Sequence, residues 1–146
     1  VVSPGVTLAQ VFEAIRKVKL PGGDIGVEPG ARGLVNLESY FWVEGADQTP
    51  VDLQVGGSTV HAEFRVVEYR WSFGEESLVT EGPGSPGLES EVRTTFVRRG
   101  FYRVGVTVMW VAEAYLDGRR VGVVDDLVSR AQTTYPVAEL RTVLTG

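Results

Sequence analysis

The chain has 146 residues, a formal net charge of −5 and no cysteine, which suits one domain able to bury a core without a disulfide or metal staple. The missing cysteines exclude disulfides, thiolate metal sites and cysteine nucleophiles. The acidic balance, with only two lysines among 14 basic residues, argues against a nucleic-acid partner held through its phosphates.

Eighteen glycines and seven prolines lie scattered between short apolar runs, the composition of an all-β chain with many turns. The exception comes first. Thr7 and Gln10 have capping-box spacing, and Leu8, Val11, Phe12, Ile15 and Val18 fall on one stripe, predicting a helix over 7–18. Leu20-Pro21-Gly22-Gly23 ends it. Such a helix either binds a partner or lies on the sheets; the cost of an exposed apolar stripe favours the second. Residues 1–23 thus read as an N-terminal segment and 24–146 as the β domain.

From Asp24 onward the period is two. Ile25 and Val27 mark a short strand before Pro29-Gly30. Residues 33–43 read as one long strand, with Val35, Leu37, Phe41 and Val43 on the core face and Tyr40 and Trp42 opposite. Val51, Leu53 and Val55 precede a Gly56-Gly57 hairpin turn. The strand from Thr59 to Phe73 changes phase once: Val60, Ala62, Phe64 and Val66 give way to Val67, Tyr69, Trp71 and Phe73. That slip predicts a β-bulge at Val66-Val67 or a strand that changes sheet. Residues 74–91, with Gly82-Pro83-Gly84-Ser85-Pro86-Gly87, read as a long mobile loop. Val92, Thr94 and Phe96 resume the alternation. Tyr102, Val104, Val106, Val108 and Trp110 continue it, Asp117-Gly118 predicts a tight hairpin, and a last strand is expected over 137–145.

Trp71-Ser72-Phe73-Gly74, then Phe96, then Gly100-Phe101-Tyr102-Arg103-Val104-Gly105-Val106, form spaced blocks that resemble the signature of the PKD (polycystic kidney disease) domain. The matched region covers about residues 60–110. The resemblance implies an immunoglobulin-like antiparallel β-sandwich of the cell surface. With its leading helix and closing hairpin, the layout also resembles PKD-like proteins that actinobacteria export to the envelope. The family's acidic turn is not kept: Ser72, Glu75 and Glu76 stand at its Asp, Asp and Gly positions, so calcium binding does not carry over. What is kept is apolar residues and glycines: Trp71, Phe73, Gly74, Phe96, Gly100, Tyr102, Val104 and Val106.

No catalytic constellation emerges. His61 is the single histidine and alternates with an apolar face, so it is expected at the surface; there is no G-x-S-x-G elbow and no phosphate-binding glycine loop. Glu75-Glu76 and Asp125-Asp126 lack a calcium-loop pattern and read as solvated turns. No cofactor, metal or catalytic residue is expected. No apolar stretch approaches the ~18 residues of a membrane-spanning helix, and a leader is expected to have been removed ahead of Val1.

Aromatic residues are the better candidates. Tyr40 and Trp42 either form an exposed row or lie under the N-terminal helix, the second being preferred. The expected function is that of a non-catalytic, exported cell-surface domain for protein–protein interaction or assembly. Val1, Val2, Val137, Leu140 and Leu144 are candidates for strand exchange between subunits of a filament. The alternative is a carbohydrate-binding module using Tyr40, Trp42 or Trp110. A small carboxylate hydrolase, requiring two acids across a cleft, comes third.

Overall fold

A computed structural model describes residues 5–140. Helix α1 (Leu8–Arg16) is followed by nine strands: β1 (Asp24–Glu28), β2 (Gly33–Leu34), β3 (Glu38–Glu44), β4 (Val51–Val55), β5 (Ser58–Phe73), β6 (Ser77–Thr80), β7 (Val92–Thr95), β8 (Gly100–Leu116) and β9 (Arg119–Ala138). The chain is all-β with one short helix. A short sheet has the order β1-β3-β7, and a long sheet the order β2-β9-β8-β5-β4, with β6 also on β5. Apart from the two-residue β2–β9 contact, all pairings are antiparallel.

The local signals explain the elements. Thr7 and Gln10 form the capping box in both directions, satisfying amides that the first turn leaves unpaired. Gly56 (φ 60) turns β4 into β5. Asp117 (φ 47) and Gly118 (φ 85) turn β8 into β9, the left-handed pair that matches strand twist. The phase slip of β5 is a bulge: Val66 faces Trp110, Glu68 faces Met109, and Val67 between them has no opposite residue. The strand stays in one sheet.

Cross-strand rows show how the long sheet builds its inner face. Trp71 opposes Val106 and Phe73 opposes Val104 across β5 and β8; Tyr102 opposes Tyr135 and Trp110 opposes Leu127 across β8 and β9. Two covers close over this face. Phe41 of the short sheet inserts between Phe73 (centroids 5.1 Å apart), Tyr135 (5.5 Å, edge-on) and Phe96 (6.5 Å, edge-on), arrangements that suit the aromatic quadrupole. The helix covers the other end, against β4, β8 and β9. Val11 and Ile15 are buried there, and Phe12 reaches Gly122. All these residues belong to one continuous core. Val11, Phe12 and Ile15 of the stripe thus lie on the sheet, while Leu8 is 49% exposed and Val18 lies beyond the helix end.

Four expectations need correction. The run 33–43 is two strands, because Asn36 adopts φ 66; this turns Leu37 out to 57% exposure and puts Ser39, not Leu37, in the core beside Phe41 and Val43. The loop 74–91 contains β6 and is tied down: the Ser90 hydroxyl donates to Phe41 O and accepts from the amides of Ser85 and Val92, while Val43 N donates to Pro83 O. The last strand is longer at its start than expected and ends at Ala138: β9 runs unbroken from Arg119 through Pro136 to Ala138, and positions 141–145 of the expected strand lie outside the described residues. Asp125-Asp126 is not a loop but a bulge inside β9, opposite Val111, with Asp126 at φ 56.

Candidate interaction surface

The outer face of the short sheet carries the predicted aromatic pair. β3 alternates about Ser39, Phe41 and Val43, which are buried, so Tyr40 and Trp42 point away from the core. The helix lies on the long sheet and not on this face, which overturns the preferred burial of the pair beneath it. Both side chains are half-buried within the sheet's own surface. Trp42 lies flat over Gly26, its opposite residue on β1, so closely that a Cβ there would come within 2.2 Å of the indole. Any side chain at 26 would displace the indole, which lies against the Gly26 backbone as a flat shelf. Its Nε1 donates to Glu44 at 3.1 Å. The Tyr40 hydroxyl donates to Glu38 at 2.7 Å, and the Arg93 guanidinium sits 5.9 Å from the Tyr40 ring centre. The Glu38 carboxylate beside it raises the Tyr40 pKa.

Strand pairing completes the frame. Glu28 stands opposite Tyr40 and Asp24 opposite Glu44, so four carboxylates on this face surround two aromatic rings, with Arg93 the cation opposite Tyr40 on β7. The arrangement offers apolar ring faces at the centre and anionic acceptors at the rim. That suits a partner surface with apolar and cationic groups, and also a sugar ring stacked on the indole.

The remaining candidates fall elsewhere. Val137 is 5% exposed and sits in β9 between Gly33 of β2 and Gly100 of β8; it is core, not a free segment for exchange. Leu140 is 78% exposed, two residues beyond the end of β9. Val1, Val2 and Leu144 lie outside the described residues. Trp110, a candidate sugar platform, is buried and donates to Ser129, so it has no ring face to offer. The signature residues Trp71, Phe73, Phe96, Val104 and Val106 are buried core. Gly74 and Gly100 adopt φ 90 and 154, which side-chain-bearing residues rarely do. The Tyr102 hydroxyl donates to Arg98 O at 2.6 Å, bracing the turn where the chain leaves the short sheet for the long one.

The outer face of the long sheet has three zones. Near the β8–β9 hairpin, His61 Nδ1 is 2.7 Å from Asp52 and Nε2 is 3.4 Å from Glu63, with Tyr115 edge-on to the ring. Bonding to Asp52, then to Glu63, raises the His61 pKa above its ordinary value. The middle zone is apolar, with Met109, Val111, Val123 and Val128. At the opposite end lies a hollow bounded by Arg70, Arg103 and Arg130, with Gly105 at its floor. Sequence reading missed this hollow because its arginines come from three strands. The usable signal was the outward phase of Arg70 and Ser72 against Trp71 and Phe73, and of Arg103, Gly105 and Thr107 against the Tyr102–Trp110 stripe.

Of the acidic pairs, Glu75 and Glu76 share one turn beside Thr94 and Tyr102, and Glu76 accepts from the Thr94 hydroxyl. They flank each other rather than facing across a cleft. Among the described residues no three His, Cys, Asp or Glu side chains are grouped to hold a metal ion, and no helix is long and apolar enough to cross a membrane. Comparisons with protein-family models, with curated proteins and with solved structures returned no match. What the fold itself defines is an all-β protein of two sheets with a single short helix.

Proposed function

We propose that this chain is a non-catalytic interaction domain of an exported, cell-surface protein, and that it engages a protein partner through the outer face of the short sheet. The observation that carries this reading is the Tyr40–Trp42 pair: an indole lying flat over Gly26 beside a tyrosine ring tied to Glu38, left uncovered by the helix and rimmed by Asp24, Glu28, Glu38 and Glu44. Aromatic side chains at the centre of a patch with a polar rim are the usual anchors of protein interfaces. Self-association into a surface assembly is one form this interaction takes. The PKD-like, immunoglobulin-like sandwich reading is part of the same proposal. It is supported by the signature residues in the core, by β5 and β8 lying side by side, and by the Tyr102 brace, which resembles the tyrosine corner of immunoglobulin-like domains.

The test is Trp42→Ala. The side chain lies on the surface of its sheet, so the variant is expected to keep the wild-type circular dichroism and urea midpoint within about 1 kcal/mol. It should lose the concentration-dependent association expected of the wild type in sedimentation. A wild-type chain that stays monomeric at high concentration and retains no protein from its native cell surface, or a variant that unfolds, would sink the proposal. The flat indole with carboxylates at its edges also favours a second reading, a carbohydrate-binding face, which a glycan array with no hits removes.

A further inference from the structure

The hollow on the outer face of the long sheet has a volume of about 520 Å³, within the range of small-molecule sites (~300–1,000 Å³). Two cross-strand rows build it. Arg70, Thr107 and Arg130 stand side by side on β5, β8 and β9, and the next row outward on the same face is Ser72, Gly105 and Gln132. Arg103 stands beyond Gly105 along β8. With neighbouring strands ~4.8 Å apart, the backbones of Arg70 and Arg130 are about 10 Å apart; Arg103 lies about 13 Å along the strand from Thr107. The guanidinium groups therefore flank the hollow at both ends.

Gly105 is the informative residue. Its backbone needs no glycine, since its φ lies outside the left-handed region, and a Cβ there would meet only Ala131 O at 3.7 Å and Gln132 Cβ at 4.0 Å, ordinary contacts. Glycine inside a strand weakens it, and neither backbone nor packing accounts for one here. What the missing side chain does is leave open a cradle that a Cβ would begin to fill. The polar groups around it are open to solvent and largely free of protein partners. Among the described residues Arg103 and Arg130 have no carboxylate partner, and the side chains of Ser72, Thr107 and Gln132 make no hydrogen bond. Arg70 is held by Glu68 through Nε alone, at 2.5 Å, which orients the guanidinium and leaves its terminal nitrogens to donate. In a chain of net charge −5, three arginines around one glycine floor are a local exception.

We propose that this hollow binds a sulfate or phosphate group, free or as the ester of a small polar molecule whose body rests over Gly105. Guanidinium donors from two ends and neutral donors from the sides match an oxyanion with several acceptor oxygens better than a planar carboxylate, which one arginine fork satisfies.

The test is a titration of the full chain with inorganic sulfate, inorganic phosphate, glucose 6-sulfate and glucose 6-phosphate, read by amide chemical shifts. Saturable shifts confined to residues 70–74, 103–107 and 130–132 are expected. Arg103→Ala and Arg130→Ala should each weaken binding about tenfold, the cost of one charge-assisted pair. Arg65→Ala, on the same sheet face outside the hollow, should leave it unchanged. Gly105→Val should keep the fold, since valine favours a strand, and abolish binding. Should Gly105→Val not fold, the arginine variants and Gly105→Ala carry the test. A tenfold preference for the esters assigns the site to a modified small molecule; equal affinity for the bare ions assigns it to the free anion. No saturable shift with any probe at tens of millimolar overturns the proposal, as does binding indifferent to Gly105→Val and Arg130→Ala.

Discussion

Two tryptophans with the same burial have different accounts at the level of single atoms. Trp110 Nε1 donates to Ser129 at 2.9 Å, whereas Trp71 Nε1 is buried with no partner among the described residues. An orphaned buried donor costs about 1–3 kcal/mol. Trp71→Phe removes that donor; Trp110→Phe breaks a bond and strands the buried Ser129 hydroxyl. Trp71→Phe should therefore be less destabilising than Trp110→Phe by about 1–2 kcal/mol in urea denaturation, and the reverse order would show that Trp71 Nε1 is satisfied in solution. His61 supplies a pH signature. Its pKa is raised in the fold by Asp52 and then by Glu63, so the protonated ring favours the folded state. That contribution is complete below the unfolded value of ~6.5 and disappears as pH rises through the higher folded value. The urea midpoint of the wild type should fall relative to His61→Gln across that window. In Asp52→Asn, the His61 pKa measured by NMR should move back toward its ordinary value. The outward phase of the aromatic pair was legible at this scale, since Phe41 and Val43 set it, but the expected cover by the helix was wrong, because the helix packs on the long sheet. The carboxylate frame was not legible, because Asp24 and Glu28 join it only through the pairing of β1 with β3.

At the scale of elements, the sequence was most readable where one residue type admits one conformation. The Thr7–Gln10 capping box, the Asp117-Gly118 turn and the phase slip at Val66-Val67 each correspond to an observed feature. It was least readable where a residue takes a conformation its type tolerates but does not require. Asn36 and Asp126 both occupy the left-handed region; the first splits a run that alternates as one strand, and the second keeps a pair of acids inside a strand. Pro136 suggested a boundary, but β9 continues through it because the pairing of Val137 and Ala138 with β2 extends the strand beyond. The bulge at Asp126 is testable. The left-handed conformation costs a side-chain-bearing residue roughly 1–2 kcal/mol, less for Asp. Asp126→Gly should leave stability equal or slightly higher, and Asp126→Val should lower it by about 1–2 kcal/mol, measured as the shift of the urea midpoint. Equal effects would mean that this bulge is not held in solution.

For the molecule as a whole, the all-β class and the apolar core followed from period-two alternation, because burial of one sheet face leaves that imprint on every strand. Surface chemistry left no such imprint. The hollow around Gly105 draws on three strands far apart in the chain, and only the register brings Arg70, Arg103 and Arg130 together. The long sheet also has two different lids. One end is sealed by three strands through an interlocked cluster of aromatic rings, the other by a nine-residue helix resting on alanine and valine side chains. A plank clamped at one end and merely covered at the other does not open evenly. In native-state hydrogen exchange the helix is expected to open at a lower free energy than the strands around the ring cluster, and equal protection at both ends would refute that order. The helix-covered end lies beside His61, and both proposed recognition surfaces sit at the end closed by the ring cluster.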